Sequence, residues 1–211
     1  MDIKQACTLL NRIGKPVSLQ DSGIKEDVPP YENYHRLEKR TDKWIYGLFV
    51  CERENNPYLK TIKEFNEEVE GVKYFFLDRL SSFYFLNKIQ AFMRDHEELD
   101  IGGPTFDDNK LLKAMSLFGI PSSFFVLRQS EIKSKAIMMT KVDEDHSIIS
   151  FVNSNGNVIH STISIKNQRA LFIAFKKIFM LYIFENEVIK LLESEGIANE
   201  FSERDVNTFL S

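Results

Sequence analysis

Cysteine is scarce in this sequence. Cys7 and Cys51 are the only two in 211 residues, which excludes a disulfide-dense secreted scaffold and a cysteine-rich structural zinc site. Glycine (9) and proline (6) are few, and no collagen-like period, internal repeat or low-complexity tract occurs. A membrane-length apolar run is missing too. The most apolar stretch, Ala170–Phe184, contains Lys176 and Lys177 and is shorter than the roughly 20 residues that cross a bilayer, so it reads as a buried helix. The first residues show no basic segment followed by an apolar core, so no secretory signal is expected. These absences imply a cytoplasmic protein with free thiols and no membrane partner. The net charge of -4 lacks the broad positive field of a general nucleic-acid binder and argues against that partner.

What is present suits a folded protein. Hydrophobic residues make up 43% and charged residues 27%, the balance of a globular chain. The length predicts a single α/β domain over residues 1–211, large enough to bury about 70% of its unfolded surface without a metal or disulfide. Charge is uneven only locally. Arg128–Lys177 holds 8 basic and 4 acidic residues, and Glu185–Ser211 holds 2 and 7. Such runs are solvated faces or docking faces for a partner of opposite sign.

Periodicity organises the chain. Ile3, Ala6, Cys7, Leu10 and Ile13 recur at helical spacing behind Asp2, a capping residue, and Gly14 and Pro16 end that helix. Residues 20–42 are polar, with Ser22-Gly23 and Pro29-Pro30, and read as a long loop with room for a short helix near His35. Loops of that length tend to be functional. Trp44–Cys51 is apolar on both faces, as in a strand covered by helices on each side. Asn55-Asn56-Pro57 then opens an expected helix carrying Leu59, Ile62, Phe65 and Val69, closed by Gly71, and Val72–Leu77 is an expected strand.

Further along, Leu86, Ile89, Phe92 and Met93 share a helix face, and Ile101-Gly102-Gly103-Pro104 breaks the chain. A helix behind Asp107 or Asp108 carries Leu111, Leu112, Met115 and Phe118. Strands are expected at Phe124–Leu127, Ala136–Val142, Ser147–Asn153 and Asn157–Ile165, the last two joined at Asn155-Gly156, a strong hairpin signal. A long helix follows from Asn167 to Ser194. The extension 196–211 has a Ser202/Asp205 capping pair and an apolar stripe of Val206, Phe209 and Leu210 expected to dock on the same molecule. The pattern predicts an α/β fold with a mixed central sheet, helices on both faces, and an antiparallel meander in the C-terminal half.

Two segments resemble the thioredoxin-like fold. In Trp44–Leu77 an apolar strand leads through a loop to an expected helix with an early proline and then a second strand. The segment Leu117–Leu127 is similar to the family's stretch in which a cis-proline, here Pro121, precedes a sheet strand. The hairpin Phe151–Ile159 is also similar to the family's last two strands, and it competes with the Pro121 match. The resemblance implies a redox Cys-x-x-Cys at the start of the helix after the first central strand, whereas Cys51 lies at the end of the strand. The family's Cys-x-x-Cys is reduced here to Cys51-Glu52-Arg53-Glu54, so dithiol exchange is not available by this route.

Candidate chemistry is therefore thin. Cys51 with Pro121 could form a single-thiol redox or sensor site, activated by Arg53 or a distant histidine; the structural alternative is a small hydrophobe ending a core strand. Cys7 with His160 as base is a second nucleophile pair, set against Cys7's place on an apolar helix stripe. The four histidines, His35, His96, His146 and His160, lack metal-ligand spacing. In the expected hairpin His160 faces Phe151 and His146 faces Ile165. Gly102-Gly103-Pro104 lacks the surroundings of a phosphate loop. No cofactor or metal is expected. The reading that results is a non-catalytic protein-binding protein of accessory, immunity or inhibitor type, its contacts drawn from the 20–42 segment and the acidic C-terminal segment. The alternative is the single thiol of Cys51. A nucleic-acid accessory role for Arg128–Lys177 is a third reading.

Overall fold

The computed structural model describes residues 1–51, 56–127 and 133–211. They form two compact units, one from Met1–Phe83 with Ser194–Glu200 and one from Tyr84–Glu193 with Phe201–Ser211.

The first unit begins with helix α1 (Ile3–Arg12). The Asp2 carboxylate accepts from the Gln5 amide at 2.8 Å, and the Gln5 side chain returns the bond to the Asp2 amide, so two orphan donors of the first turn are satisfied. Ala6, Leu9 and Leu10 are buried. A five-stranded antiparallel meander follows, of β1 (Val17–Gln20), β2 (Gly23–Glu26), β3 (Tyr34–Arg40), β4 (Lys43–Val50) and β5 (Tyr58–Phe65), in that spatial order. Segment 20–42, expected as a loop, thus contains two strands. Asp21-Ser22 turns the chain from β1 into β2, and Pro29-Pro30 lies in the connection from β2 to β3. Gly23 is required by packing, because a β-carbon there would lie 1.9 Å from the Leu37 carbonyl oxygen on β3.

Helix α2 (Glu68–Tyr84) lies on one face of this sheet, with Gly71 against Leu37, Trp44 and Phe65. Two expectations fail here. The segment after Pro57 is β5, not a helix, and Val72–Leu77 lies inside α2, not in a strand. Leu59, Ile62 and Phe65 only imitate a helical face. Pairing of β4 with β5 shifts between Tyr46 and Gly47 and leaves Ile62 as the extra, bulged residue. Trp44, Tyr46 and Leu48 face α2, and Ile45, Gly47 and Phe49 face the other way, as strand alternation demands.

The second unit holds α3 (Gln90–Asp95), α4 (Asp108–Phe118), α5 (Asn167–Ile183), α6 (Ile189–Glu193) and α7 (Glu203–Phe209) with strands β6 (Phe125–Leu127), β7 (Ala136–Lys141), β8 (His146–Val152), β9 (Val158–Ser161) and β10 (Ile165–Lys166). Its sheet is mixed: β6 runs parallel to β7, and the remaining pairs are antiparallel. The α/β character, the mixed sheet and the C-terminal meander are as expected, but the strands divide into two sheets. The N-terminal one is itself a full meander. His160 faces Phe151 as expected, while His146 faces Lys166 one position from Ile165, because β10 is a separate strand.

The core of this unit is aromatic. Phe92, Phe118, Phe175 and Phe179 interlock, with the Phe118 and Phe179 centroids 3.9 Å apart. The stripe of Val206, Phe209 and Leu210 is buried, and Phe209 stands 5.3 Å from Phe184. No described helix is long and apolar enough to cross a membrane.

Candidate functional site

The two residues singled out from sequence lie in different units. Cys51 follows β4 and is half-buried; its backbone amide donates to Asn33 Oδ1 at 2.7 Å. Residues Glu52–Asn55, including Arg53, lie outside the described residues. Pro121 precedes a turn of 3-10 helix (Ser122–Phe124) that leads into β6, and there is no cis peptide bond among the described residues. Cys7 is half-buried on α1. Its sulfur faces the Val17 carbonyl at 3.6 Å, and burial pushes the thiol's pKa up. His160 is exposed on β9 in the second unit, whereas Cys7 belongs to the first. Asp143 accepts from the amides of Asp145 and His146 and from the His146 ring, which makes the acidic turn a self-bonded loop.

The densest polar constellation is elsewhere in the first unit, on the sheet face covered by α2. Glu26 at the end of β2 is 5% exposed and Arg79 on α2 is 7% exposed. Glu26 Oε1 receives Lys15 Nζ at 2.6 Å and Arg79 Nη1 at 3.1 Å. Its Oε2 receives the His35 amide at 2.7 Å, and the His35 ring nitrogen lies 3.1 Å away. Arg79 Nε donates to Asp78 Oδ2 at 3.0 Å, and the Tyr46 hydroxyl donates to the same oxygen. Burial alone would raise the Glu26 pKa, but the His35, Arg79 and Lys15 donors outweigh it and hold the carboxyl well below the usual carboxylate range. Burial would strip Arg79 of charge, yet Tyr46, Asp78 and Glu26 keep its pKa raised. The Tyr46 hydroxyl is pushed far up by burial, with the Asp78 charge acting in the same sense.

This arrangement is a lock. Both oxygens of Glu26 accept from donors, whereas the donors to Asp78 gather on its Oδ2. His35 Nδ1 also stands 2.6 Å from Arg79 Nη1 and can donate to Glu26 or accept from Arg79, one at a time. Among the described residues no cluster of His, Cys, Asp and Glu could hold a metal ion. Sequence reasoning missed the network. One signal was available: Asp78-Arg79 is a charged pair inside an apolar run, where unpaired charges are too costly to stand.

The opposite face of the sheet has another character. Register puts Lys25, Tyr34, Arg36, Glu38, Arg40, Lys43, Phe49 and Glu64 on it. Tyr34 and Phe49 stack with centroids 5.0 Å apart. Lys25 Nζ sits 5.4 Å from the Tyr34 ring and Arg36 5.5 Å from the Phe49 ring, within cation–π range. Glu38 pairs with both Arg36 and Arg40, and Lys43 with Glu64 at 2.8 Å. Arg40, Lys43 and Glu64 are exposed, and Lys25, Tyr34, Arg36 and Phe49 are half-exposed. The face therefore carries four cations against two carboxylates around an aromatic centre. Comparison of the chain with protein-family models, curated proteins and solved structures finds no match.

Proposed function

We propose that this chain is a non-catalytic protein-binding protein of accessory or inhibitor type, and that the face bearing Lys25, Tyr34, Arg36 and Phe49 is its contact surface. The observation that carries this reading is the charge excess of that face, four cations to two carboxylates. An aromatic pair with cationic edges is the composition that anchors interfaces, and the complementary partner is an acidic protein surface. Strands β2 and β3, within segment 20–42, supply much of the face. The donors gathered on both oxygens of buried Glu26 support the non-catalytic part. Stacking of nucleobases is disfavoured because the faces of Tyr34 and Phe49 are already occupied by each other, Lys25 and Arg36.

The test is capture of a partner from the native host by the wild-type chain and by Lys25→Glu/Arg36→Glu. Supporting results are loss of the captured protein with the double variant, an unchanged thermal midpoint, and wild-type capture that weakens with salt. Equal capture by both chains, or turnover of a substrate by the purified protein, would contradict the proposal.

A further inference from the structure

The Gly102-Gly103 break and the first turn of α5 border a pocket of about 470 Å³ in the second unit, lined by Met93, Ile101, Gly102, Phe172, Lys166 and Arg169. Gly102 has φ +83°, and a β-carbon on it would lie 3.2 Å from the Phe172 ring. Glycine thus lets the loop cross the ring without filling the space beside it. The Gln168 side-chain amide donates to the Gly103 carbonyl and ties this loop to α5. The walls are mostly apolar, yet Lys166 and Arg169 are both exposed at the rim. Neither has an ion-pair partner among the described residues, unlike Lys88, which pairs with Glu187 at 2.6 Å, and Lys135, which pairs with Glu185 at 2.6 Å in the same unit.

An open apolar pocket with two unmatched cations at its rim selects a ligand with an apolar body and one negative head. We propose that this pocket binds a small amphiphilic carboxylate, its chain against Met93, Ile101 and Phe172 and its carboxylate between Lys166 and Arg169. The volume falls within the roughly 300–1,000 Å³ of small-molecule sites. The proposal is independent of the sheet face described above.

Calorimetric titration of the full chain with decanoate tests it, alongside 1-decanol, acetate, and phosphatidylcholine–phosphatidylserine vesicles. Decanoate should bind with a single equivalent, and more weakly as salt is raised. Arg169→Gln should weaken it about tenfold, the loss of one charge-assisted hydrogen bond, and Lys166→Gln by less. Met93→Trp, which fills the pocket, should abolish binding while the thermal midpoint stays in place. Should Met93→Trp fail to fold, the rim variants carry the test alone, since both side chains are exposed. Decanol bound as tightly as decanoate, a Lys166→Gln/Arg169→Gln chain with wild-type affinity, absence of decanoate binding, or binding to the vesicles alone would each overturn the proposal.

Discussion

Arg79 in the first unit and Lys177 in the second are buried to nearly the same degree, 7% and 9% exposed, but their surroundings treat the charge in opposite ways. Arg79 meets two carboxylates, Glu26 and Asp78, and its pKa is raised. Lys177 donates to the Leu210 carbonyl at 2.9 Å and meets no carboxylate among the described residues, and burial followed by repulsion from Lys176 lowers its pKa to about 8. A guanidinium whose five donors are fixed in a fork can be enclosed by acids on two sides, whereas an ammonium on a flexible stem gives up its proton more readily. The first unit therefore depends on charge staying buried, and the second on packed rings that tolerate one.

That contrast can be broken at Glu26. Glu26→Ala leaves Arg79 buried with one carboxylate lost and should cost about 3–5 kcal/mol in denaturant unfolding, the usual result of removing one partner of a buried pair. The pH dependence has a definite sign. Because the folded Glu26 pKa is depressed, its contribution is complete above the unfolded value of about 4.3 and disappears as pH falls through the folded value. Glu26→Gln should remove that part of the acid-side loss. An unchanged acid limb would mean that Glu26 is not held by its neighbours.

Lys177 gives the next largest effect, on the alkaline side. Its folded pKa of about 8 lies below the reference value of 10.5, so between those limits the unfolded chain binds more protons and stability rises with pH. The rise should reach about 3 kcal/mol, and Lys177→Met should lack it. Parallel curves for the two chains would show that the ammonium is not desolvated. A smaller effect concerns the helix that supplies the carbonyl. Ser202 caps α7, accepting from the Asp205 amide in a reciprocal box, and Ser202→Ala should cost about 1 kcal/mol by the same unfolding measurement.

The two thiols sharpen the comparison without a change in stability. Cys7 has a raised pKa from burial, whereas the half-buried Cys51 has no hydrogen bond to its sulfur from a described residue. Iodoacetamide should modify Cys51 before Cys7 in the folded protein, at a rate no greater than in denaturant. Accelerated labelling of Cys51 would favour the single-thiol redox alternative.

Local signals in the sequence carried much of the fold. Asp2 before α1, Asp107 before α4, Ser202 with Asp205, and Asn155-Gly156 between β8 and β9 each act within a few residues, and the structure places them as their chemistry predicts. The misread segments all depend on distant partners. The Leu59–Phe65 spacing looks helical only because Ile62 is bulged against β4, and Val72–Leu77 looks like a strand because a short apolar run fits either state. Gly71 reads as a stop but is a contact point for Leu37, Trp44 and Phe65. The sheet face and the Glu26–Arg79 lock were illegible because neither follows from spacing along the chain: strand register brings Lys25 beside Arg36, and the packing of α2 on the sheet brings Arg79 to Glu26.

The most direct measurement of the proposed contact surface is lysine acetylation of the captured complex, read residue by residue. Lys25 and Lys43 lie on the proposed face, while Lys60, paired with Leu48, points to the opposite side of the same sheet. Complex formation should shield Lys25 and Lys43 and leave Lys60 as reactive as in the free chain. Shielding of Lys60 with Lys25 and Lys43 unchanged would contradict it.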